Sequence, residues 1–210
     1  MMVGARNGCW AKSGAPLPYD EELEWIRPAT ALGVVEKGFY ADTGVDTSDN
    51  VGYRIRLQRL VNTTSDIVAF GARLNSNSTR FFTGGYNGLY YVGYNNTYTT
   101  SGLRLHNWYT ISNNFLNDKK GRLNGSEFAS FSSESLSYSK RLYYGAYHAY
   151  TGTSLIQRYY YYKHGELEIS VGTNIVRDFI PVRIGDKAYI YDKINGELRG
   201  NLGTDDYAFG

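Results

Sequence analysis

Cysteine is almost missing from this chain: Cys9 is the only one in 210 residues. That excludes an internal disulfide and a multi-thiolate metal site. A dominant charge sign is missing too. Lys and Arg number 22 against 20 Asp and Glu, a net charge of +2. Nucleic acid and a membrane surface are therefore not the expected partners, since binding either would concentrate basic charge. The densest basic patch, Lys119-Lys120-Gly121-Arg122, reads as a solvated turn. No apolar run approaches the roughly 18 residues that cross a bilayer. The stretch Met1 to Trp10 has no hydrophobic region of the secretory-signal kind. Helical periodicity is also absent, and the segment Leu17 to Ile26 has room for one helical turn at most.

What is present is tyrosine and glycine. There are 21 tyrosines and 24 glycines, and glycine at ordinary frequency would be near 7%. Tyrosine suits pleated, half-buried surfaces and glycine suits the turns between them. The chain reads accordingly as short strands with turn punctuation. Tyr53, Ile55 and Leu57 alternate with Arg54, Arg56 and Gln58, an apolar face backed by a wet one. Ile67 to Gly71 is a short apolar run suited to a central strand. Gly84-Gly85 and Asn87-Gly88 are turn signals, followed by Leu89 to Tyr94. Leu103, Leu105, Tyr109 and Ile111 form an apolar face opposite Arg104, His106, Trp108 and Thr110. Asn124-Gly125 and Asn195-Gly196 are hairpin signals. Aromatic strands follow at Leu142 to Tyr150 and Ile156 to Tyr162. This predicts an all-β antiparallel sandwich or barrel over residues 17–210. Residues 1–16 carry no apolar period and read as an N-terminal arm. Arg6 and Trp10 are its candidate anchoring residues, because a large aromatic in a free tail favours docking.

Several segments resemble a known family. They are Leu23-Glu24-Trp25-Ile26 with Phe39-Tyr40-Ala41-Asp42-Thr43-Gly44, Phe70-Gly71-Ala72-Arg73, and Val176-Arg177-Asp178-Phe179-Ile180-Pro181-Val182-Arg183. Tyr191-Asp192-Lys193-Ile194-Asn195-Gly196-Glu197-Leu198 and Asn201 to Gly210 complete the set. These are similar to concanavalin A-like (laminin-G-like) β-sandwich domains of bacteriophage and gut-bacterial surface proteins. The resemblance covers Leu17 to Gly210, with a weak middle between about Ser76 and Gln157. It implies a jelly-roll sandwich. The leader Gly4-Ala5-Arg6 with Trp10-Ala11-Lys12-Ser13-Gly14 resembles one carried by phage proteins with such domains. That implies a virion surface location, or alternatively a bacterial cell surface. The motifs make physical sense as well. Arg177 and Asp178 are placed to pair with each other, Phe179 and Ile180 to anchor in the core, and Pro181 to sit at a strand edge or end. Asp192 is placed to cap the turn closed by Asn195-Gly196. The C-terminal strand is expected to return and pair with the N-terminal one.

No catalytic constellation emerges, and no enzyme activity is expected. Glu166 and Glu168 share a strand face in Glu166-Leu167-Glu168-Ile169-Ser170. Side chains i and i+2 on a strand start about 7 Å apart, whereas a retaining glycosidase wants roughly 5–5.5 Å. The three histidines, His106, His148 and His164, read as surface or half-buried. No cofactor is implied. A structural Ca²⁺ is an open option at Asp42, Asp46 and Asp49, or at Asp205 and Asp206. The aromatic rows are the main signal. In an alternating strand, two of Tyr159 to Tyr162 must face away from the core. Exposed tyrosines suit stacking on sugar rings and also subunit contacts. The glycan-binding candidates are Trp108, Tyr86, Tyr94, Asn95, Asn96, Tyr147, His148, Tyr150, Tyr160 and Tyr162. The expectation is a non-enzymatic, lectin-like virion surface module, homo-oligomeric and attached to other virion proteins through its arm. The alternatives are a purely structural virion subunit or a polysaccharide-cleaving glycoside hydrolase.

Overall fold

The computed structural model describes residues 16–28, 40–61, 67–73, 80–86, 89–94, 96–99, 104–131, 136, 139–148, 155–156, 162–203 and 207–210. The first strands are β1 (Glu21–Glu22), β2 (Ile26–Pro28), β3 (Ala41–Asp46), β4 (Val51–Arg59), β5 (Ile67–Arg73), β6 (Arg80–Tyr86), β7 (Leu89–Tyr94) and β8 (Asn96–Thr99). Then come β9 (Trp108–Asn113), a 3₁₀ turn at Phe115–Asn117, β10 (Lys120–Leu123), β11 (Ser126–Ser130), β12 (Arg141–Tyr144), β13 (Tyr147–His148) and β14 (Leu155–Ile156). The C-terminal part holds β15 (Tyr162–Val171), β16 (Asn174–Ile184), β17 (Lys187–Asp192), β18 (Glu197–Arg199) and β19 (Tyr207–Phe209).

The larger sheet runs β11-β10-β9-β4-β15-β16-β17-β18, with β1 on β16 and β2 joining β15 to β19. The second runs β14-β13-β5-β6-β7-β8, and β12 pairs with β3 beside it. Pairing is antiparallel throughout the described residues except between β13 and β5. The fold is thus an all-β antiparallel sandwich. The alternation in β4 explains why it forms: Tyr53, Ile55 and Leu57 are fully buried, while Arg54 is exposed. Phe70, Phe81, Tyr90 and Val92 of the second sheet face them from across the interlayer. The Tyr53 ring meets Phe70 edge-on at 4.8 Å and Phe81 at 5.2 Å. Each such side chain contributes about 1.5–3 kcal/mol by leaving water. Gly71 is needed for close approach: at φ +120° a Cβ there would lie 2.1 Å from the Phe81 carbonyl oxygen.

The two ends of the domain join as expected. In the β2–β19 pair Ile26 faces Phe209 and Arg27 faces Ala208, and Trp25 N donates to Gly210 O at 2.8 Å. The Asn124-Gly125 hairpin forms with both residues at positive φ, 49° and 85°, as a type I′ turn requires. Asp192 caps its turn, accepting from Ile194 N and from Asn195 Nδ2.

Other expectations change. Residues 17–26 are extended rather than helical, because β1 and β2 hydrogen-bond to the large sheet. Gly84 and Gly85 are not a turn but lie within β6, opposite the bulky Tyr91 and Tyr90. Leu105 is not a core residue: it precedes β9 in a turn with His106 at φ 63°. Arg177 and Asp178 do not pair with each other, since neighbours on a strand point to opposite faces. Arg177 approaches Asp192 at 3.6 Å and Asp178 binds Lys193 at 2.8 Å. Pro181 lies inside β16 rather than at its end. The pairing of β15 with β16 extends only to Phe179, and Leu23 N then donates to the Pro181 carbonyl, so no proline N–H is needed there. The arm residues Arg6 and Trp10 lie outside the described residues.

Candidate functional site

An irregularity in β15 builds the site. His164 faces Leu57 of β4, yet Leu167 is the next residue in register, facing Ile55. Gly165 and Glu166 therefore stand opposite Arg56 alone, a β-bulge, which re-aims side chains. The bulge is supported from inside. The buried Tyr144 hydroxyl of β12 donates to the carbonyl oxygens of His164 and Gly165, at 2.9 and 2.7 Å. Burial, with the Glu166 charge adding to it, raises the pKa of that phenol well above its ordinary value. His164 points into the interlayer, with Nε2 3.3 Å from the Ala69 carbonyl oxygen of the opposite sheet. Burial lowers its pKa to about 4, so the ring is neutral at ordinary pH. The histidine read as surface or half-buried is thus a core residue.

Outside the bulge, β4, β9 and β15 share one face. Arg54 and Arg56, Thr110, and Glu166 and Glu168 line a cavity of about 210 Å³. Arg54 is ion-paired with Glu168, and its guanidinium lies 4.8 Å from the Phe115 ring. Arg56 binds Glu24 at 2.8 Å and stacks 4.3 Å from the centre of the Trp108 indole. Such a cation–π contact is worth about 0.5–1 kcal/mol at an exposed position. Further along the face, Lys163 Nζ lies 4.0 Å over Trp25. A Cβ on Gly210 would be 3.0 Å from that indole, so Gly210 packs tightly against it.

A larger cavity, about 410 Å³, opens between β3 and β18, lined by Asp42, Glu197, Leu198, Arg199, Gly200 and Leu202. Its lining has no aromatic ring and its charges are matched: Asp42 lies 3.5 Å from Arg141, and Glu197 binds Arg199 at 2.6 Å. Size alone favours this cavity; chemistry favours the smaller one, where a hydroxyl, two guanidiniums and two carboxylates meet beside the Trp108–Arg56 stack.

Of the glycan-binding candidates whose side chains are described, Trp108 is the one that reaches this face, half-buried beneath Arg56. Tyr94 and Tyr162 are corrections: they are 3% and 0% exposed and belong to the core. Tyr94 stacks on Phe131 at 5.0 Å and donates to Asp49 O, and burial raises its pKa to about 12. Tyr162 sits 6.3 Å from Tyr90. Tyr90, Tyr91 and Tyr144 are buried as well. Asn95, Tyr150 and Tyr160 lie outside the described residues, as do the side chains of Tyr86, Asn96, Tyr147 and His148. The Asp42, Asp46 and Asp49 cluster does not converge. Arg141 lies against Asp42 and Asp46, at 3.5 and 2.8 Å, while the Asp49 carboxylate accepts from Leu136 N. Among the described residues no three His, Cys, Asp or Glu side chains are grouped to hold a metal ion. Asp205 and Asp206 lie outside those residues.

Trp25, Thr110 and the two arginines were missed as site residues. Arg54 and Arg56 had a signal, the wet face of their alternation. Trp25 had none, because its place depends on where β2 crosses the sheet. Comparison with family models, curated proteins and solved structures finds no match to this chain.

Proposed function

We propose that the chain is a non-enzymatic, lectin-like module that adheres to host or mucosal glycans through the outer face of its larger sheet. The observation that carries this reading is the Trp108–Arg56 stack beside the cavity containing Glu166 and Glu168. An indole edge offers apolar contact to a sugar ring, and carboxylate, guanidinium and hydroxyl groups around it offer hydrogen bonds to ring hydroxyls. The segments that resemble concanavalin A-like jelly-roll domains of phage surface proteins support the same reading. In this reading the module sits on a virion, held to other virion proteins by residues 1–16, as a homo-oligomer.

Hydrolysis is the reading with a specific observation in its favour, since two carboxylates do share one cavity. Two features favour binding instead. Glu168 is tied to Arg54. Both carboxylates also stand at i and i+2 of one strand, where side chains start about 7 Å apart, against the roughly 5–5.5 Å of a retaining pair. The test is a glycan array probed with the purified chain and with Trp108→Ala. Signal on a subset of sugars that falls at least tenfold in the variant is expected. Silence across bacterial and mucin glycans would overturn the reading.

A further inference from the structure

The outer face of the larger sheet carries a second aromatic region, on β16 and β17. Asp178 faces Glu168 in register, so Ile180 and Val182 point to the same outer side. Neither belongs to the core between the sheets, yet they are 5% and 0% exposed. Their neighbours on that side are tyrosines: Ile180 faces Tyr191 and Val182 faces Tyr189. The Tyr19 ring lies 5.1 Å from Tyr191 at 60°, and its hydroxyl donates to Glu22 at 3.0 Å. All three tyrosines are half-buried. Among the described residues no cation lies over them, whereas Arg56 lies over Trp108 and Lys163 over Trp25. Glycine keeps two of the rings open: a Cβ on Gly200 would touch the Tyr189 ring at 3.6 Å, and one on Gly196 would lie 3.8 Å from the Tyr191 hydroxyl. Gly200, with Leu198 opposite Tyr191, also lines the cavity of about 410 Å³, so the region borders a hollow at the sheet edge.

This region lines up with the site already described. Thr110 faces Arg56, and the bulge stands opposite Arg56. Leu167, just past the bulge, faces Phe179, and Ile180 beside it faces Tyr191. The row crosses β9, β4, β15, β16 and β17 in order, about 19 Å at roughly 4.8 Å per step. Charges along it are matched, with Arg54, Arg56 and Lys163 against Glu24, Glu166 and Glu168.

We propose that Tyr19, Tyr189 and Tyr191 form a second sugar-stacking subsite, so that the face takes an uncharged polysaccharide lying across its strands. The inference rests on the glycan-binding reading above and names its ligand class. A sugar ring lays its C–H face on the phenol rings, while their hydroxyls and the Glu22 carboxylate bond its hydroxyl groups. A face of matched charge gives a charged sugar no counter-ion to gain. With two subsites on one sheet, the second contact is intramolecular, and affinity rises once a chain is long enough to reach both.

Calorimetric titration of the whole chain with two-ring and eight-ring oligomers of glucose, mannose and N-acetylglucosamine tests this. The expected result is an eight-ring oligomer that binds at least tenfold tighter than its two-ring counterpart. Tyr191→Ala removes that gain. Gly200→Leu removes it too, by laying a side chain over Tyr189 with every tyrosine still in place, and its urea midpoint reports that the sandwich is intact. Both variants keep the two-ring binding, which Trp108→Ala weakens. A gain with length that survives in either variant, or no gain in the parent chain, would overturn the subsite and leave the glycan reading standing. Loss of two-ring binding in Gly200→Leu would also overturn it, because the tyrosines would then be the primary site. Binding of none of the oligomers would overturn the subsite and the glycan reading together.

Discussion

The single O–H of Tyr144 is shared between two bulge carbonyls, and a buried carbonyl left without a donor would cost about 1–3 kcal/mol. Its neighbour His164 has a different consequence. The folded chain holds the imidazole at a pKa of about 4 because burial disfavours its charge, whereas an unfolded chain titrates it near 6.5. Above about pH 6.5 neither state binds the proton, and His164 contributes no pH dependence. As pH falls below that value, the unfolded state takes up the proton and the folded state does not. Stability is then lost at up to about 1.4 kcal/mol per pH unit until about pH 4, roughly 3 kcal/mol in all. Urea unfolding of the parent and of His164→Gln at several pH values between 7 and 4 would show it. The two stabilities converge or cross as the solution is acidified. Parallel curves would contradict the assignment.

At the scale of elements, the β17–β18 turn is organised around a single buried carboxylate. Asp192 is 0% exposed. It accepts from Asp178 N at 3.2 Å, Ile194 N at 3.1 Å and Asn195 Nδ2 at 2.8 Å. Replacing it by alanine leaves two backbone donors without their acceptor and Arg177 without its counter-charge. Asp192→Ala is expected to destabilise the chain by about 3 kcal/mol, read as a lower urea midpoint at an unchanged slope. The cap of this turn was legible in the sequence because Asp192, Ile194 and Asn195 lie within a few residues of one another, whereas the contacts with Arg177 and Asp178 of β16 were not. The in–out pattern of β4 was legible for a similar reason, since a strand's period of two needs no knowledge of its partner. The tyrosine rows were not. Tyrosine is apolar along its body and polar at its tip, so composition does not tell an exposed ring from a buried one. Tyr144 is buried because its hydroxyl finds a bulge, and that bulge exists only once Leu57 and His164 are in register, more than a hundred residues apart. Gly84 and Gly85 misled similarly: glycine marks a turn locally, yet here it faces Tyr91 and Tyr90 across a strand pair.

At the scale of the molecule, the β2–β19 closure and the outer face proposed to bind glycan are one device. Among the described residues β19 pairs only with β2, and residues 24–25 just before β2 supply Glu24 to Arg56 and Trp25 to Lys163. Phe209 adds to the core and Gly210 packs on the Trp25 indole. Removing residues 207–210 takes away the β19 ladder and the cover it gives Ile26, which is 1% exposed in the intact chain. The loss of one half-buried aromatic and a short ladder is expected to cost about 2–4 kcal/mol, measured by urea unfolding. The effect on the site follows from charge. Once β2 loosens, Glu24 leaves Arg56, and Arg56 is free to turn to Glu166, its neighbour across the bulge. The glycan-array signal of the truncated chain should therefore fall, even in conditions where the rest of the sandwich is still folded. Retained affinity together with lost stability would separate the two roles and show that the binding face holds its shape without the closure of the ends.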